Sequence, residues 1–179
     1  MGDQRGRPHP ARDTIGLVSG EANPNATLID SLYEAFNHRD GDAMAACYAP
    51  DAHFADPVFS HLHDEEVGAM WRMLCGRAED LRIEHSNVKA DAETGSAHWE
   101  AFYTFRNGRK VHNVIEAQFE FSGGLISDHR DWFDLYRWCR QALGPLGFFL
   151  GWTPIVHRRI QFTARQDLDL FIAGDPPPE

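Results

Sequence analysis

Between residues 81 and 135 the chain alternates apolar and polar side chains over four long stretches, and each break carries a tight-turn sequence. The stretches are 81–90, 96–106, 110–122 and 125–135, separated by Asp91-Ala-Glu-Thr-Gly95, Asn107-Gly108 and Gly123-Gly124. A period of two sends successive side chains to opposite faces, and short glycine-containing turns join antiparallel neighbours. A meander of four antiparallel strands is therefore predicted. It limits the chain to architectures that cover a large sheet on at least one face.

The residues before the meander have the period of a helix. Asn25-Ala-Thr27 supplies a cap, and Leu28, Ile29, Leu32, Tyr33 and Phe36 follow at helical spacing. Asp42 is read as the cap of a short second helix reaching Tyr48. A turn at Pro50-Asp51 and a strand over 53–58 come next. A third helix is predicted over 65–75, closed by Gly76. After Leu135 a helix carries Tyr136, Trp138, Cys139 and Leu143. The apolar segment 143–152, broken by Gly and Pro, leads into a last helix from Pro154 to about Ala173. The chain divides into a flexible tail (1–24), a body (25–142) and a C-terminal extension (143–179) ending in prolines. Helices followed by strands indicate the α+β class: a cone-shaped, curved antiparallel sheet wrapped around N-terminal helices, an α+β roll.

Two strands carry acids where burial is expected, and an unpartnered charge is costly to bury. Asp56 precedes Pro57 at the end of the short strand. Asp131 lies in His129-Arg-Asp-Trp-Phe-Asp134, where alternation sends His129, Asp131 and Phe133 to one face. On the third long strand Val111, Asn113, Ile115, Ala117 and Phe119 face the core, and Glu116 faces outward. The second long strand is ambiguous, because His98, Glu100 and Phe102 oppose an equally apolar set, Trp99, Ala101, Tyr103 and Phe105. An Asp in an apolar pocket has its pKa raised by desolvation, which suits proton abstraction near neutral pH. Asp56 also fits a turn-forming Asp, and Asp131 a structural acid bonded to His98 or His129. His98 and Glu100 share a strand face and would form a relay with Asp131. The candidate catalytic residues are thus Asp56, Asp131, His98, Glu100 and His129. The candidate pocket residues are Tyr33, Phe54, Trp71 and Phe102, with Asn113, Phe119 and Phe133.

The order of elements, with Tyr48-Ala-Pro-Asp-Ala-His-Phe-Ala-Asp-Pro57 and His129-Arg-Asp-Trp-Phe-Asp134, resembles the nuclear-transport-factor-2-like superfamily. It is most similar to the SnoaL-like branch, which includes ketosteroid isomerases, polyketide cyclases and limonene epoxide hydrolases. The resemblance covers about residues 26–140 and is more specific for fold than for activity. It implies that Asp56 stands where the isomerases keep their general base, and Asp131 where the hydrolases keep a catalytic Asp. The hydrolases' Arg-x-Asp element is replaced by His98-Trp99-Glu100. Tyr33 and Glu116 lie near the isomerases' two oxyanion donors.

The implied function is a small isomerase or cyclase acting without a cofactor on a hydrophobic carbonyl compound (polyketide-, steroid- or terpenoid-like). The alternatives are a non-catalytic ligand-binding or dimerising module and an epoxide-hydrolase-like enzyme. No glycine pattern for flavin, nicotinamide or phosphate is present, so no cofactor is expected. Cys47, Cys75 and Cys139 are far apart and the histidines have no ligand spacing, so neither a metal site nor a disulfide framework is expected. Twenty-seven acids against 17 bases argue against nucleic acid and against an anionic membrane. With no secretory signal read at the N-terminus, the cytoplasm is the expected compartment. A homodimer is expected through the open sheet face bearing Trp99, Tyr103 and Phe105, and segment 143–152 is read as a lid over the cone mouth, a dimer contact or a membrane-touching patch, of which the lid and the dimer contact are preferred.

Overall fold

The computed structural model describes residues 23–77 and 80–174. The expected N-terminal tail, apart from its last two residues, and the proline tail lie outside that range. Helix α1 (Pro24–Asn37) begins one residue before the predicted cap, with Pro24 in its first turn and Asn23 as the cap. Helix α2 (Gly41–Ala45) is capped by Asp40, whose side chain accepts from the Ala43 N–H, and Asp42 lies in its first turn. Strand β1 (Tyr48–Ala55) starts where the second helix was expected to end. Its register shifts between Tyr48 and His53, so the irregularity at Pro50-Asp51 sits inside a strand instead of before one. The two-residue β2 (Leu62–His63) follows, then helix α3 (Glu65–Arg77), which runs through Gly76 without stopping.

The meander forms as predicted: β3 (Arg82–Ala90), β4 (Thr94–Thr104), β5 (Lys110–Ser122) and β6 (Leu125–Trp132). The six-stranded sheet has the order β2-β1-β6-β5-β4-β3 and is curved and unclosed. It is mixed, because β1 runs parallel to β6. Helices α4 (Leu135–Leu143), α5 (Pro145–Leu150) and α6 (Pro154–Ala173) complete the chain. This is the α+β architecture expected from the sequence.

The concave face of the sheet packs on α1 and α3 around Ile29, Leu32, Phe36, Met70 and Ile115. Burial of this apolar face is the main favourable term. Close packing of α2 on α3 requires Gly41, where a Cβ would stand 2.5 Å from the Arg72 Cα. A smaller cluster of Val111, Leu135, Trp138, Cys139 and Ala142 seats α4 beside the far end of β5.

The structure settles the two faces of β4. Ala97, Trp99 and Ala101 are buried on the concave side. His98, Glu100 and Phe102 lie on the convex side with His112 and Glu116. The Trp99, Tyr103 and Phe105 expected to form a dimer contact therefore point inward. In their place the convex face carries a polar ladder. Glu116 accepts from His98 Nδ1 (2.7 Å), and Glu100 bonds both His98 and His112. Parity on β6 holds for His129 and Asp131 but breaks nearer its start. An irregularity opposite Glu120 and Phe121 turns Ile126 inward, out of step with Leu125 and Ser127.

Candidate active site

Between the sheet's concave face, α3 and α4 lies a cavity of about 700 Å³. Its wall is mainly apolar and aromatic: Phe54, Trp71, Trp99, Tyr103, Phe133 and Trp138. Asp56, Asp131 and Asn113 enter the same cavity. This is the usual anatomy of a small-molecule site, an apolar container with few polar groups.

Asp56 is positioned by the turn that follows β1. Its Oδ1 accepts from the Val58 N–H (2.7 Å) and the Phe59 N–H, and its own N–H donates to the Phe59 carbonyl (2.8 Å). The residue is thus both a turn former and a member of the cavity wall. Burial pushes its carboxyl up from the ordinary range to about 7. The Phe59 N–H opposes that rise and the nearby Asp131 charge adds to it.

Asp131 is held by groups far apart in sequence. Trp99 Nε1 donates to its Oδ1 (3.2 Å), and His129 Nε2 lies 3.0 Å from the same oxygen. His129 Nδ1 is in turn 2.7 Å from the Tyr48 hydroxyl. His129 is fully buried among Tyr48, Phe54, Trp71 and Phe119. Burial, with the Asp131 charge, holds the Tyr48 phenol well above its ordinary pKa. The chain Tyr48–His129–Asp131–Trp99 therefore fixes the carboxylate through one oxygen. Oδ2 takes no partner among the described residues. Burial also pushes the Tyr103 phenol up to about 12, while Trp138 Nε1 donates to it (2.7 Å).

One donor that lines the cavity is uncommitted among the described residues. The Asn113 amide lines the cavity and makes no side-chain hydrogen bond among the described residues, whereas Trp71, only 3% exposed, keeps its indole N–H buried in the wall, where it opposes part of the rise of the Tyr48 phenol. The buried Tyr33 hydroxyl is also unpartnered, but Tyr33 packs behind the wall against His85 and Trp99.

Of the residues singled out from sequence, Asp56, Asp131, Phe54, Trp71, Asn113 and Phe133 line the cavity. His129 supports Asp131 from behind, and Phe119 packs on His129. His98 and Glu100 are on the other face of the sheet, so the relay proposed between them and Asp131 is not assembled. Phe102 is outside too, stacked on His112 under Arg82. Trp99 was missed as a site residue, although strand pairing gives it the inward parity of Ala97, Ala117 and Asp131. Tyr48 carries no local signal, because its partner is 81 positions away.

The rim of the cavity is charged. Asp167 of α6 is buried and binds Arg77 (2.9 Å) and Arg106, both of which border the cavity. Segment 143–152 contributes nothing to the lining. Among the described residues no group of three or more His, Cys, Asp or Glu is arranged to hold a metal ion.

The profile of the SnoaL-like domain family matches residues 29–129. No curated protein matches the sequence. Among solved structures, the chain is similar to a nuclear-transport-factor-2-like protein of unknown function from Burkholderia pseudomallei. The identity is 19% and the TM-score 0.60, over 68% of this chain and 98% of that one. A putative polyketide cyclase from Xanthomonas campestris pv. campestris is 20% identical, with TM-score 0.56, over 66% of this chain and 96% of that one. An M. tuberculosis LEH-like epoxide hydrolase is 19% identical, with TM-score 0.56, over 73% of this chain and 97% of that one. At these identities the likeness is one of fold.

Proposed function

The chain belongs to the SnoaL-like domain family, and from that premise we propose that it is an isomerase- or cyclase-type enzyme acting without a cofactor on a hydrophobic carbonyl compound. One observation carries this reading: Asp56, with its carboxyl raised to about 7, shares an apolar-walled cavity with Asp131. Asp56 is the base that removes a proton from the carbon next to the carbonyl. The Asn113 amide is the donor for the oxygen that gains charge, and the Asp131 carboxylate, anchored through Oδ1, helps to keep the Asp56 carboxyl raised. Returning the proton from Asp56 to another carbon gives isomerisation. Attack of the enolate carbon on a second carbonyl gives cyclisation. The epoxide-hydrolase alternative is supported less well, because the inward positions of β4 are Trp99 and Ala101 and carry no Arg-x-Asp pair.

The test is deuterium exchange at the α-carbon of hydrophobic cyclic ketones in heavy water, followed by NMR. The wild type should exchange above buffer, and Asp56→Asn should lose roughly 10²–10⁴-fold. Ligand binding without exchange would assign the cavity to a carrier or binding module. Exchange that Asp56→Asn leaves intact would remove Asp56 from the mechanism.

A further inference from the structure

Residues 135–166 contain no Asp or Glu and five Arg, in a chain whose formal charge is −10. The same stretch exposes large apolar side chains: Phe148 (54%), Phe149 (69%), Trp152 (64%) and Ile155 (80%). Leu146 and Leu150 extend this patch along α5. None of these residues belongs to the cavity. A contiguous exposed patch of this kind marks a surface that meets another apolar phase.

Two features identify that phase. The first is charge. Arg137, Arg140, Arg158 and Arg159 are exposed and make no ion pair among the described residues, whereas Arg165 is held by Glu66 and Asp169. A symmetric pair of copies joined through this segment would bring its arginines together, because a two-fold interface uses the same patch on both subunits. An anionic surface is complementary to it. The second feature is the state of the backbone. Carbonyls 148 to 151 all accept bonds from within the segment: from the Tyr136 hydroxyl (2.9 Å), Trp152 Nε1 (3.1 Å), the Thr153 hydroxyl (2.7 Å) and His157 Nε2 (2.7 Å). Such closure is ordinary capping at the end of a helix, and water or a protein neighbour could also have supplied partners. The closed end is therefore compatible with hydrocarbon, which offers no partner to an open carbonyl.

We infer that α5 and the start of α6 form a membrane-docking tip. In this account Phe148, Phe149, Trp152 and Ile155 enter the acyl boundary of an anionic lipid surface, and Arg137, Arg140, Arg158 and Arg159 meet its headgroups. No described helix is long and apolar enough to cross a membrane, so the tip lies on the surface. The whole-chain charge, which counts against an anionic membrane, conceals this basic pole.

The experiment is flotation of the full chain with vesicles of phosphatidylcholine alone and with about one third phosphatidylglycerol, a content at which each added arginine strengthens binding. Wild type should float with the anionic vesicles and far less with the neutral ones. Phe149→Ser with Ile155→Ser, both at exposed positions, should lower partitioning roughly a hundredfold. Arg158→Gln with Arg159→Gln should lower it roughly thirtyfold, on anionic vesicles only. Circular dichroism of both variants should match wild type. The inference is overturned if wild type stays with the soluble fraction, or if the folded variants float undiminished. It is also overturned if Phe149→Ser with Ile155→Ser dissolves a dimer in sedimentation while vesicles bind neither protein, which would assign the patch to a second copy.

Discussion

Asp56 combines two tasks that conflict energetically. Its Oδ1 ties the turn after β1, and its burial opposes the charge that the same carboxylate must carry as a base. The folded-state pKa is raised from 3.8 to about 7. The protonated form is thus favoured by folding, and the stability it contributes is complete below about pH 4 and lost as pH rises through about 7. Asparagine keeps the oxygen that accepts the Val58 and Phe59 N–H groups and removes the buried charge. Asp56→Asn should therefore be more stable than wild type by roughly 2 kcal/mol at pH 8 in urea unfolding. The difference should vanish near pH 4. Activity should move the other way: exchange by wild type should rise through about pH 7 and level off above it. His129 is a different case, because it satisfies Tyr48 and Asp131 at once in a fully buried position. His129→Leu should cost about 3 kcal/mol and lower the urea midpoint at every pH.

Among the elements, α6 docks the C-terminal extension on the body, and Asp167 is its charged anchor. Arg77 at the end of α3 and Arg106 after β4 both bind that buried carboxylate. Removing its charge leaves two arginines without a counter-ion at the cavity rim. Asp167→Asn should cost about 3 kcal/mol. Amide exchange should accelerate in α6 and leave β4 and β5 protected. At the other joint, α5 approaches α4 so closely that a Cβ on Gly147 would overlap the Cys139 carbonyl. The meander and α6 were legible because their periodicity and turns are local: Pro154 and the helical spacing of Ile160, Ala164, Leu168 and Phe171 mark α6 directly. The start of β1 was not, because Tyr48 owes its strand conformation to a parallel partner, Ile126, across the sheet. The β6 irregularity was hidden for the same reason, since a bulge is a property of two paired strands.

At the scale of the molecule, the sheet separates two chemistries. The concave side encloses aromatic rings and two carboxylates, and the convex side carries the His98, Glu100, His112 and Glu116 ladder. From sequence both sides of β4 looked buried, and the catalytic choice fell on the wrong one for His98 and Glu100. Only the strand pairing, with Ala97 opposite Ala117 and Ala117 opposite Asp131, decides between them. Asp56, Asp131 and Asn113 were legible because an acid or amide on an inward parity stands out against apolar neighbours. The cavity as a whole should report ligands by stabilisation: a hydrophobic ketone at about 100 times its Kd should add roughly 2.7 kcal/mol in thermal or urea unfolding. Ala101→Leu, which grows into the cavity from β4, should abolish that gain without preventing folding.

The central claim is that Asp56 is a base poised near neutrality by the cavity. It is tested most directly by ¹³C NMR titration of the Asp56 carboxyl, assigned by its loss in Asp56→Asn. The account predicts a single step centred near pH 7. A step near pH 4, the value of an ordinary aspartate, would show a solvated turn residue and contradict it.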